Sequence, residues 1–117
     1  MTRLTERIND QLREEIADLL QRELKDPRIG GLISVTEVDA SPDLSQAKVF
    51  VSVMGSAEEK ASTFKALSAA ARFLQRELRR RLTIRRIPEL SFIADDSIER
   101  GARILELLQQ TKEGQTP

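Results

Sequence analysis

Apolar residues at Leu4, Ile8, Leu12, Ile16, Leu19, Leu20 and Leu24 recur every three to five positions. That is the period of a helix that turns one side to a core, and it predicts a helix over residues 2–25. The other side mixes Arg7, Arg13 and Arg22 with Glu6, Glu14, Asp18 and Glu23, a balanced solvated face. Pro27 cannot continue the helix and restricts Asp26 before it, and Gly30-Gly31 make a corner. The period then changes to two. Residues 33–38 (ISVTEV) are rich in β-branched side chains and predict a strand. Ser41-Pro42-Asp43 is turn chemistry. In residues 47–54, Ala47, Val49, Val51 and Val53 alternate with Lys48, Phe50, Ser52 and Met54, the mark of a half-buried antiparallel strand. The two strands and their short loop predict a hairpin.

Gly55-Ser56 ends the hairpin, and Ser56 with Glu59 forms a capping-box signature for a helix over residues 57–82. Its apolar side is Phe64, Leu67, Ala71, Leu74, Leu78 and Leu82. Pro88 breaks the pattern. Leu90, Phe92 and Ala94 then alternate with Ser91 and Ile93 as a third strand. Asp95-Asp96-Ser97 opens a last helix, with Asp96 as cap, Glu99 three residues on, and Ile98, Leu105 and Leu108 as its apolar side. The order α-β-β-α-β-α predicts one α+β domain over residues 1–110, with helices packed on one face of a small three-stranded sheet, and a polar flexible tail over 111–117.

Charge changes the picture. The chain is formally neutral, with 19 basic and 19 acidic residues. Residues 61–88 nevertheless hold eight basic side chains (Lys65, Arg72, Arg76, Arg79, Arg80, Arg81, Arg85, Arg86) against one acid, Glu77. Spacings of seven, four and three residues put Lys65, Arg72, Arg76 and Arg79 on one side of the helix, opposite the apolar side. Solvated helix faces usually mix signs, because oppositely charged pairs stabilise them and like charges repel. A face this one-sided calls for a polyanion, and arginine favours forked contact with phosphate oxygens. The alternative is a protein-interaction module whose basic helix docks on an acidic partner. The small residues Ser68 to Ala71 interrupt the long side chains. They fit either close approach by another backbone or plain helix propensity.

Composition excludes much else. There is no cysteine and no histidine, which removes disulfides, thiolate and imidazole metal sites, and the common nucleophile–base pairs. Four Phe, with no Tyr or Trp, argue against an aromatic platform for single-stranded bases. Asp95-Asp96 is too sparse a ligand set for a magnesium site and reads as helix capping. The expectation is a cytoplasmic monomer that is not an enzyme and uses no cofactor, metal, membrane or small-molecule substrate.

Several blocks, in order, carry a family resemblance. They are Asp26-Pro27-Arg28, SPDLSQAKVFVSV over residues 41–53, ALSAAARFLQREL over 66–78, and IPELSFIADDSIERGARI over 87–104. Over nearly its full length the chain resembles the bacterial ribosome-binding factor A family. The resemblance implies a KH-like fold of the second topological type. It also implies an assembly factor that binds the free 30S subunit, contacts 16S rRNA, assists late maturation and rRNA processing, and supports adaptation to cold. KH domains usually hold RNA on a Gly-x-x-Gly loop, and this family is known instead for an Ala-x-Gly kink. Aligning Leu67 and Leu78 puts the kink on Ala70, Ala71 and Arg72, so the resemblance implies a bend near residues 68–72. The glycine position holds Arg72. A positive φ there would cost an arginine about 1 kcal/mol or more.

Overall fold

Two amphipathic helices and a twisted three-stranded sheet close one core. A computed structural model of the chain describes residues 3–22 and 33–115. The elements are α1 (Arg3–Arg22), β1 (Ile33–Ala40), β2 (Gln46–Val53), α2 (Ala57–Arg81), β3 (Glu89–Ala94) and α3 (Ser97–Gln115). The expected stop at Pro27, the corner at Gly30-Gly31 and the Asp26-Pro27-Arg28 block lie outside the described residues.

The sheet order is β1-β2-β3. β1 and β2 pair antiparallel, as a hairpin must, whereas β3 runs parallel to β2. Parallel neighbours need a long crossover, and α2 is that crossover. The alternation in β2 decides which face is buried. Ala47, Val49 and Val51 turn inward beside Leu90 and Phe92 of β3 and Val35, Val38 and Ala40 of β1. Ser34, Glu37, Lys48 and Ser91 face solvent on the other side. A bulge between Val35 and Glu37 shifts the register by one at Thr36. It frees the Thr36 hydroxyl, which contacts the carbonyl of Phe50 and donates to the Asp95 carboxylate beyond the end of β3.

From α1, Ile8, Leu12, Ile16, Leu19 and Leu20 enter the core. Leu4, one turn earlier, lines an open cleft with Ile84 and Thr83. From α2, Ala66, Leu67, Leu74 and Leu78 are buried, with Phe64, Ala70, Phe73 and Leu82 packed at the margin. Each fully buried leucine contributes about 1.5–3 kcal/mol. The hydroxyl of Thr63, also buried, donates to the Glu59 carbonyl.

The start of α2 follows its sequence signature. The Ser56 hydroxyl accepts from the Glu59 N–H at 3.1 Å, and the Glu59 carboxylate accepts from the Ser56 N–H at 3.3 Å. Gly55, at φ 141°, leaves room for this: a Cβ there would lie 3.2 Å from the Glu59 side chain. The hairpin turn holds a less ordinary residue. Leu44 has φ 59°, which costs a branched side chain on the order of 1–2 kcal/mol. Its side chain is only 3% exposed, and burial of that size offsets the strain.

Two expectations are corrected here. The bend at Ala70-Ala71-Arg72 is not present as a break: α2 is one continuous helix from Ala57 to Arg81, and Leu44 is the one non-glycine residue with positive φ among those described. Arginine at the glycine position disfavours a left-handed turn, and the apolar spacing through Leu67, Leu74 and Leu78 continues unbroken on the buried side of the helix. The second correction concerns α3. Its apolar side was expected to pack, yet Ile104, Leu105, Leu107 and Leu108 are all exposed. α1 and α2 cover the sheet face, and α3 projects from its end. The chain after Thr111, expected as a tail, continues as helix to Gln115. The side chains of Ile98 and Glu99 lie outside those described.

Candidate nucleic-acid interface

The side of α2 that faces away from the sheet carries Lys65, Arg72, Arg76 and Arg79, all exposed. They form a row about 21 Å long at 1.5 Å per residue. Ser68 and Ala69 are exposed in the same row, between Lys65 and Arg72. No described residue covers these small side chains, so another backbone could approach the helix closely there. Arg80 lies beside the row, 79% exposed, with Glu77 at 3.8 Å. Arg79 and Arg80 also stand in the last turn of α2, where the negative end of the helix dipole favours cations. Arg85 and Arg86 extend the surface from the loop after α2, both exposed.

Arg81 departs from the expected set. Its Nη1 donates to Glu15 Oε2 at 2.9 Å and Asp18 Oδ2 at 2.7 Å on α1, and its side chain is only 24% exposed. The Arg81 hydrogen bond holds the Asp18 carboxyl below its ordinary value, and the two carboxylates in turn push the guanidinium up. Arg81 therefore clamps α1 to α2 and is not offered to a ligand. The sequence held the signal. Arg81 lies three residues after Leu78 and seven after Leu74, on the core side of the helix, where a cation needs an internal partner. The other seven cations lie together on the surface.

The loop over residues 82–88 is fixed at several points. Gln75 Nε2 donates to the Ile87 carbonyl at 3.1 Å. The Glu89 N–H donates to the Ser45 carbonyl at 3.1 Å, and Arg85 reaches the Pro42 carbonyl at 3.4 Å. The hairpin turn beneath is itself ordered by Asp43. Its Oδ1 accepts from the Ser45 N–H, the Ser45 hydroxyl and the Ser41 hydroxyl at 3.0, 2.7 and 2.8 Å. These bonds, led by the Ser45 N–H, lower the Asp43 carboxyl to about 2, with Arg86 adding to the effect. Sequence reasoning missed Gln75, Asp43 and Ser45 as parts of this surface, because no periodicity marks residues that meet through loops.

At the far end of β3, Asp95 is held below its ordinary value, first by the Thr36 hydroxyl and then by the Ser97 N–H. It ties the bulge to the start of α3, and Asp96 pairs with Arg100 at 2.9 Å. Among the described residues no group of three or more acidic side chains could hold a metal ion. No described helix is long and apolar enough to cross a membrane.

The topology and surface define a KH-like α+β domain of the second topological type, with its crossover helix presenting cations outward. Comparison with known proteins gives the family. The model for ribosome-binding factor A matches residues 4–108, and the chain belongs to that family. It is 53% identical over 106 residues to ribosome-binding factor A of Acetivibrio thermocellus, covering 91% of this chain and 86% of that one. The crystal structure of the Thermus thermophilus factor superposes with a TM-score of 0.68 at 34% identity, over 77% of this chain and 93% of that one. A homology model of the T. thermophilus factor, fitted into the cryo-EM map of a 30S–RbfA complex, gives a TM-score of 0.61 at 35% identity, over 75% and 91% of the two chains.

Proposed function

We propose that this chain binds the free 30S ribosomal subunit through 16S rRNA and assists late maturation of the subunit, including rRNA processing, in the cytoplasm. Lys65, Arg72, Arg76, Arg79, Arg80, Arg85 and Arg86 hold the phosphate backbone, releasing counterions as they do so. The protein acts by holding one RNA conformation and makes or breaks no bond. The observation that carries this reading is the exposure of Lys65, Arg72, Arg76 and Arg79 in one row on the side of α2 opposite its buried leucines. It is supported by membership of a family in which a relative's model has been fitted to a 30S complex.

Co-sedimentation with purified 30S subunits tests the reading, with protein-free 16S rRNA as a second probe. Replacing Arg76, Arg79 and Arg80 with Glu should abolish binding to both and leave the thermal unfolding midpoint nearly unchanged. Retention of that triple variant on the subunit at the same salt would exclude this surface. Binding to the subunit without binding to the naked RNA would favour the acidic-partner alternative.

A further inference from the structure

The seven surface cations are not equivalent. Lys65, Arg72 and Arg76 stand exposed on the outer side of α2, but Arg79, Arg85 and Arg86 line a cleft of about 440 Å³ between the end of α2, the following loop and the start of β3. That volume falls within the range of small-ligand sites, about 300–1,000 Å³. The cleft is braced independently of any ligand. Gln75 bonds the loop to α2, and the backbones of Glu89 and Ser45 bond strand to turn. A flat phosphate-binding surface needs no such bracing.

Its lining is also mixed. Glu89 lies in the cleft with the three arginines, yet among the described residues its carboxylate forms no ion pair with any of them. A carboxylate in a site built only for phosphate would weaken it. A carboxylate is also an acceptor with two parallel oxygens, and among RNA bases guanine alone places two N–H donors side by side on its pairing edge. Specific RNA recognition commonly reads an unstacked base by that edge, with arginine on the base or its phosphate.

We propose that this cleft seats one extruded guanosine of the bound RNA, with its phosphate on Arg79, Arg85 and Arg86 and its donor edge on the Glu89 carboxylate. The proposal rests on the RNA-binding reading above and adds base specificity to it. The phosphate row on α2 supplies affinity, and the cleft sets the register of the strand.

The test uses the full chain and two labelled single-stranded RNAs, UUUGUUU and UUUAUUU, measured by fluorescence anisotropy. The guanosine oligomer should bind on the order of tenfold more tightly, the discrimination expected of one paired base contact. Glu89→Gln should level the two oligomers, because one of its two acceptors becomes a donor. Arg85→Ala should weaken both alike, and Arg72→Ala should leave the ratio untouched. Equal binding of the two oligomers to the native chain overturns the proposal. So does a ratio that survives Glu89→Gln. Co-sedimentation with 30S subunits separates this failure from failure of the wider reading: a native chain that binds the subunit without preferring guanosine loses only the cleft assignment.

Discussion

Removing charge from the α2 row should change how steeply binding depends on salt, and the structure sets the size of that change. Seven cations face outward, and Arg81 does not. Each phosphate contact contributes about 0.7–0.9 to the slope of log affinity against log salt. Full engagement therefore gives a slope of roughly −5 to −6, or about a 10³-fold loss between 50 and 200 mM salt. Replacing Arg72, Arg76 and Arg79 with Ala should flatten the slope by about 2–3, leaving roughly a 10²-fold loss over the same range. Binding of a fluorescent 16S rRNA fragment across a salt titration measures this directly. The three side chains are exposed, so thermal unfolding should barely move. Arg81→Ala supplies the internal control. It removes one more arginine, but from a clamp on Glu15 and Asp18, and should lower the unfolding midpoint without changing the slope. An unaltered slope in the triple variant, or a slope change in Arg81→Ala equal to that of Arg72→Ala, would refute the division between outward and inward cations.

Three further outcomes follow from packing and titration. Leu74→Ala removes a fully buried side chain and should cost about 2–5 kcal/mol in urea unfolding. Asp43, lowered to about 2 by its Ser45 and Ser41 hydrogen bonds, contributes stability that is fully present above its ordinary value of 3.8 and lost as pH falls through the lowered one. Asp43→Asn should therefore reduce the loss of stability seen between roughly pH 4 and pH 2 in acid unfolding, with Asp18 and Asp95 sustaining the remainder. Gly101 lies inside α3 with nothing within 4 Å of a built Cβ. Gly101→Ala should stabilise that helix by about 0.5–1 kcal/mol, read as slower amide exchange along α3.

Much of this was readable before any coordinates. Ser56 and Glu59 mark a helix start because both halves of the capping box lie within four residues. The alternation from Ala47 to Val53 marks a buried face because strand geometry is local. The cations of α2 follow from helical phase alone, and phase also places Arg81 inward, a reading that the total charge of the stretch obscured. What escaped is what depends on partners distant in sequence. The Thr36 bulge exists only relative to β2. The cleft of Gln75, Arg85 and Glu89 exists only once loop and strand meet. The apolar side of α3 was legible, but a pattern of leucines does not say whether anything covers it. The expected bend came from family resemblance and not from the residues, and Arg72 at its glycine position was the local sign against it.

The parallel pairing of β2 with β3 has a consequence for how the molecule is made. Gln46 and Glu89 are register partners, so the sheet cannot finish until all of α2 has been laid across it, and such distant closures are the slow part of folding. A chain interrupted just before Glu89 would carry every guanidinium of the crossover helix and lack the strand that seats it. Sheet and cationic surface are thus completed in the same step, when the last strand docks.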